Sequence, residues 1–81
     1  MLMSENVTVY STPFCAPCES LKRYLSEHGV AFTVRDLMMD EEAAERLDAQ
    51  RIRSTPALEV DGEFYAGEQL NPDTLKSLFN L

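Results

Sequence analysis

Two cysteines stand three residues apart in Cys15-Ala16-Pro17-Cys18, and the 81-residue chain contains no others. A pair at this spacing supplies either half of a tetrahedral zinc site or a dithiol that cycles to a disulfide. A closed zinc site needs four ligands, and only His28 is left to join the cysteines, about 15 Å of helical rise beyond Cys18. Disulfide exchange asks for less: one accessible sulfur that reacts as a thiolate, and one shielded sulfur that attacks it afterwards.

The elements that must position the pair divide the roles in this way. Val7-Thr8-Val9-Tyr10-Ser11 is a run of β-branched and aromatic residues that predicts a strand, ended by Thr12-Pro13. From Pro17 to about His28 the apolar positions Leu21, Tyr24, Leu25 and His28 recur at helical spacing. Cys15 therefore precedes the first helical turn, where free N–H groups and the helix dipole favour an anion, and it is the expected attacking thiolate. Pro17 fits a first-turn position, which has no intrahelical partner for an N–H to lose. At about 100° per residue Cys18 falls beside Leu21 and Leu25, so it is the expected buried, resolving thiol. Lys22 shares the azimuth of Cys15 but lies about 10 Å up the helix, too far to pair with it. Glu19, Arg23 and Glu27 form a solvated face of alternating sign, and His28 is expected to pack partly buried.

Downstream, Gly29 ends the helix and Ala31–Arg35 alternates as a second strand. Asp40 caps a helix from Glu41 to about Gln50 whose inward stripe is Ala43, Ala44 and Leu47. Ala57–Val60 and Glu63–Tyr65 flank Asp61-Gly62, a dipeptide suited to a type I′ hairpin turn. Asn71-Pro72-Asp73 opens a last helix with Leu75, Leu78 and Phe79 inward. The expected order is β-α-β-α-β-β-α, an α/β fold with a mixed four-stranded sheet and three helices.

Composition narrows the function. Fourteen acids against seven bases give a net charge of −7, which repels phosphate backbones, and no basic patch offsets it, so nucleic acid is not an expected partner. No stretch approaches the ~20 apolar residues of a membrane span, and Met1–Asn6 has neither a basic leader nor an apolar run. The expectation is a cytoplasmic monomer, one domain over residues 1–81, with no membrane partner and no metal. Two cysteines are too few for a secreted disulfide scaffold.

Together, the strand ending in Tyr10, the Cys15-to-Cys18 motif, Thr55-Pro56, and Gly67 before the last helix resemble a glutaredoxin, over nearly the whole chain. The resemblance implies a thioredoxin fold, thiol-disulfide oxidoreductase activity, no tightly bound cofactor, and glutathione as a co-substrate. It also implies that Pro56 is cis and faces the cysteines, leaving the Thr55 backbone to pair with a bound thiol substrate while the Thr55 side chain matters less. Substrate contacts then fall to Thr12, Pro13, Phe14, Ala16, Pro17, Arg53, Thr55, Pro56, Gly67, Glu68 and Gln69.

The departures concern the reductant. Glutaredoxins that use glutathione typically carry a lysine where this chain has Thr12, and a Gly-Gly-x-Ser/Asp run where it has Ala66-Gly67-Glu68-Gln69. Glu68 repels a carboxylate, and Arg53 is the best remaining partner for one. The chain also resembles NrdH-type redoxins, which are reduced by thioredoxin reductase and supply electrons to ribonucleotide reductase. Cys18-Glu19-Ser20-Leu21-Lys22-Arg23 and Arg53 carry that likeness, although Tyr65-Ala66-Gly67-Glu68-Gln69-Leu70-Asn71 does not match the group's Trp-Ser-Gly-Phe-Arg-Pro-Asp signature. The expected partners are proteins bearing a disulfide, with thioredoxin reductase or glutathione as electron source. A bridging [2Fe-2S] cluster carrier and a non-catalytic redox sensor are the competing functions.

Overall fold

The strand pattern in the first eleven residues and the caps at Cys15, Asp40 and Asn71 set where the chain turns. The computed structural model, which describes residues 6–79, follows them closely. The order is β1 (Val7–Ser11), α1 (Ala16–Glu27), β2 (Thr33–Asp36), α2 (Glu41–Ala49), β3 (Ala57–Val60), β4 (Glu63–Ala66), a 3₁₀ turn at Gly67–Gln69, and α3 (Pro72–Phe79). The reading of residues 1–5 as lacking a leader lies outside the described residues.

The strands form one sheet in the order β2-β1-β3-β4, with β1 parallel to β2 and antiparallel to β3. The β3–β4 hairpin turns at Asp61 and Gly62, whose φ angles of 50° and 89° are those of the expected type I′ connection. Because β1 and β3 are central, both faces of each are buried. Val9, Leu58 and Val60 pack with Leu21 and Leu25 of α1 and Leu75 of α3, while Tyr10 and Ala57 meet Ala43 and Leu47 of α2 on the other face. This is the expected α/β architecture with the thioredoxin fold.

The structure corrects three local expectations. β2 begins at Thr33 rather than Ala31, since Phe32 packs against the α1 and α3 core and Thr33 is the first residue to pair with β1. As an edge strand it alternates poorly, and Val34 is 44% exposed. His28 is exposed rather than partly buried, because α1 stops at Glu27 and the histidine caps the end, with Nδ1 2.8 Å from the Tyr24 carbonyl. On the solvated face of α1, Glu19 pairs with Lys22 at 2.6 Å. β4 runs one residue further, to Ala66.

One polar cluster lies against the α2 face. Glu59 Oε1 accepts from the Tyr10 hydroxyl at 2.5 Å, Oε2 accepts from Arg46 at 2.7 Å, and Arg46 also donates to the Tyr10 oxygen at 3.2 Å. Burial raises the Glu59 carboxyl, but the bonds from Tyr10 and Arg46 outweigh it and leave the group below its ordinary value. For the Tyr10 phenol, burial and the adjacent carboxylate both act upward, and it titrates above its ordinary value.

Candidate functional site

Cys15 is the N-cap of α1. Its backbone is extended (φ −107°, ψ 101°) and its Sγ accepts the Cys18 N–H at 3.1 Å, so a first-turn donor with no helical partner is aimed at the sulfur. The two sulfurs form a disulfide across a Cα–Cα distance of 5.2 Å. Cys18 is completely buried among the apolar side chains of α1, whereas Cys15 is partly exposed. Helical periodicity is the physical source of this asymmetry: Cys18 shares the face of Leu21 and Leu25, and the cap residue lies off it.

A second element reaches the sulfur from 40 residues away. The Thr55-Pro56 peptide is cis, and the Thr55 hydroxyl lies 3.8 Å from Cys15 Sγ. Thr12 Oγ1 is 3.3 Å from the same hydroxyl, so a chain of two hydroxyls ends at the sulfur. The Thr55 side chain, expected to matter less than its backbone, thus also has a place beside the sulfur. Among the described residues no charged side chain is bonded to either sulfur, and Lys22 is held by Glu19. The groups that favour a thiolate at Cys15 are neutral dipoles: the Cys18 N–H, the start of α1, and the Thr55 hydroxyl.

Beside the sulfurs opens a groove of about 700 Å³, walled by Ala16 and Pro17 of α1, Thr55 and Pro56, Gly67, and Leu70. Gly67 takes a left-handed φ of 61°, which turns the chain out of β4 toward α3. The expected contact residues separate here. Ala16, Pro17, Thr55, Pro56 and Gly67 line the groove, and Thr12 reaches the sulfur through Thr55. Pro13 and Phe14 do not line the groove and are exposed immediately before Cys15. Arg53 does not line the groove; it is 83% exposed and 3.9 Å from Asp48. Gln69 is occupied locally, its Oε1 accepting from the Ala66 N–H at 3.2 Å, and Glu68 is exposed.

Beyond Ala16 and Pro17, the helical walls of the groove were not among the expected contacts. Ser20, Leu21 and Tyr24 of α1 and Pro72 and Leu75 of α3 belong to it, as does Ser54 before the cis peptide. Helical periodicity marked Tyr24 and Leu75 as inward-facing, and nothing local distinguishes an inward side chain that fills the core from one that walls a cleft. The Tyr24 hydroxyl is buried with no hydrogen-bond partner among the described residues. Among those residues, no group of three or more His, Cys, Asp or Glu side chains is arranged to hold a metal ion.

Comparison with known proteins gives concordant matches. The glutaredoxin family model matches residues 7–65. The glutaredoxin-like protein NrdH of Lactococcus lactis subsp. cremoris is 33% identical over 61 residues, covering 75% of this chain and 85% of the relative. Among solved structures, the thioredoxin-like protein BC3987 is 34% identical with a TM-score of 0.80 and coverage of 90% and 99% of the two chains. The NrdH-redoxin of Escherichia coli is 29% identical, also with a TM-score of 0.80, over 90% and 93% of the two chains.

Proposed function

The chain belongs to the glutaredoxin family as an NrdH-like thiol-disulfide oxidoreductase, and from that premise we propose that it reduces protein disulfides with electrons from a thioredoxin-reductase-type flavoprotein. The observation that carries the mechanism is the pairing of a partly exposed cap cysteine, its sulfur bonded by the Cys18 N–H at 3.1 Å, with a fully buried second cysteine.

In the reduced protein the Cys15 thiolate attacks one sulfur of a partner disulfide. A Cys15–partner bond forms, the partner's S–S bond breaks, and its second sulfur leaves as a thiolate that takes up a proton. Cys18, three residues along the first turn, then loses its proton and attacks Cys15 Sγ. This releases the partner as a dithiol and leaves the Cys15–Cys18 disulfide. Two electrons pass from the protein to its partner, and a flavoprotein dithiol returns them by the reverse sequence. The apolar groove beside Pro56 receives the chain that flanks the partner's cysteine.

Three features support a flavoprotein over glutathione as reductant. Thr12 stands where a carboxylate-binding lysine would, Gln69 is committed to its own backbone, and Glu68 presents a like charge beside Gly67. Each missing charge-assisted bond is worth about 1.5–3 kcal/mol, so two of them lower glutathione affinity by more than about a hundredfold. The E. coli neighbour is described as a glutaredoxin-like protein with a thioredoxin-like activity profile, which agrees with this choice. On the same reading ribonucleotide reductase is a fitting electron acceptor, glutathione is at most a weak co-substrate, and no cofactor is held. Among the described residues no helix is long and apolar enough to cross a membrane; the place of action proposed with this reading is the cytoplasm.

Parallel NADPH-coupled assays test the reading, one with glutathione and glutathione reductase and the other with thioredoxin reductase. Turnover is expected in the second. Efficient turnover only in the first would overturn the choice of reductant and leave the two-cysteine mechanism in place, while loss of neither activity in Cys15→Ser would overturn the mechanism itself.

A further inference from the structure

Four large apolar side chains are exposed among the described residues, and three of them, Phe14, Met38 and Met39, belong to loops that leave the same end of the sheet. β1 and β2 run parallel with Ser11 opposite Asp36, so the loop carrying Phe14 and Cys15 and the loop carrying Met38 and Met39 emerge side by side. The Leu37 N–H donates to the Ser11 carbonyl at 2.9 Å and ties them together.

Neither display is a matter of slack chain. The Asp36 carboxylate accepts from the Met38 N–H at 2.9 Å, and its carbonyl accepts from Met39 at 3.0 Å and Asp40 at 2.9 Å. Asp40 is in turn held by Arg35 at 2.8 Å and caps α2 through the Ala43 N–H at 3.0 Å. Within this pinned turn Leu37 packs inward, whereas Met38 and Met39 are held 72% and 84% exposed. Phe14 is fully exposed and takes a φ of 59°, a left-handed conformation costly for a bulky residue and found where surroundings enforce it.

We infer that Phe14, Met38 and Met39 form an apolar contact surface beside Cys15 for the protein that carries the target disulfide, and that Met38 and Met39 determine preference for protein over small-molecule disulfides. The inference rests on the oxidoreductase reading above. Its occupant follows from the chemistry: during exchange the partner's sulfur is bonded to Cys15 Sγ at about 2 Å, so the body bearing that sulfur is what lies against this end of the sheet. Clustered exposed apolar side chains with a polar border mark such contacts, and flexible thioethers adapt to partners of different shape. A small disulfide has no surface large enough to cover the two loops. The border stays acidic in balance, with Glu41 exposed immediately after the turn and Arg35 shared between Asp40 at 2.8 Å and Glu42 at 3.1 Å, so the partner of best fit places apolar residues within a basic surround.

The test compares wild type with the double variant Met38→Gln, Met39→Gln, both driven by dithiothreitol, on the interchain disulfides of insulin and on hydroxyethyl disulfide. The expected result is a fall of about fivefold or more in kcat/KM on insulin, mainly through KM, with hydroxyethyl disulfide turnover within about twofold of wild type. Met38→Leu with Met39→Leu keeps the surface apolar and is expected to restore insulin turnover. Unchanged insulin kinetics, an equal fall on both probes, or failure of the leucine pair to rescue would each overturn the inference. Sedimentation that finds a wild-type dimer dissolved by the glutamine variant would also overturn it, assigning the surface to a second copy. Wild-type inactivity on both probes would instead overturn the oxidoreductase reading, and this inference with it.

Discussion

Replacing Thr55 with valine removes one hydroxyl next to Cys15 and keeps the shape of the side chain. A hydrogen bond to a charged group contributes about 1.5–3 kcal/mol at good geometry. Here the oxygen is 3.8 Å from the sulfur and shares its bonding with Thr12 at 3.3 Å, so about half that value, roughly 0.7–1.4 kcal/mol, is a reasonable expectation. At 1.36 kcal/mol per pH unit, the inflection of Cys15 reactivity moves upward by about 0.5–1 pH unit. The thiolate fraction well below the inflection then falls about three- to tenfold. A more basic thiolate is also intrinsically more nucleophilic, with a Brønsted slope of about 0.4–0.5, which returns a factor of about two to three. Iodoacetamide alkylation of the reduced variant is therefore expected to be about two- to threefold slower than wild type on the acid limb and faster by a similar factor on the alkaline plateau. The two pH–rate curves cross. Curves that coincide, or that differ by one factor at every pH, would refute the reasoning, because either outcome means that the hydroxyl does not discriminate thiolate from thiol. The Cys18 N–H at 3.1 Å is untouched by the substitution, so the variant's inflection is still expected to lie below that of a cysteine in unstructured peptide.

Three further outcomes follow from the geometry. Cys18→Ser retains attack and loses resolution, so mass spectrometry after incubation with a disulfide substrate is expected to find adducts on Cys15; none under conditions of wild-type turnover would sink the two-step mechanism. Tyr24→Phe deletes a buried hydroxyl that has no partner among the described residues, and is expected to leave thermal stability unchanged or raise it by up to about 1 kcal/mol, read as a Tm rise of about 4–8 °C at most; a clear fall in Tm would show that the hydroxyl is satisfied. Glu59→Gln is expected to lower Tm by a few degrees at pH 7. The Glu59 carboxyl titrates below its ordinary value of 4.5 in the folded protein, so its stabilisation is present above that value and is lost as pH falls through the lower folded-state titration. The wild-type and variant Tm values should thus converge in acid, and a gap that widens there would contradict the sign.

What the amino-acid sequence determined by itself is what short-range physics decides. The order of elements, the caps at Asp40 and Asn71, the Asp61-Gly62 turn, and the unequal burial of Cys15 and Cys18 each depend on residues within about one helical turn or one hairpin of one another. Tertiary structure decided the rest. The start of β2 moved to Thr33 because only there does the strand meet β1, and the α2 face acquired the Glu59, Arg46 and Tyr10 cluster because three separate elements converge on it. The Thr12 and Thr55 hydroxyls meet at Cys15 across 43 and 40 positions of chain, and the groove draws its walls from α1, the Pro56 loop and α3. Periodicity tells which side of a helix or strand turns inward, but which distant side chain it then faces depends on sheet order and helix placement, and these follow from burying both faces of β1 and β3 at once.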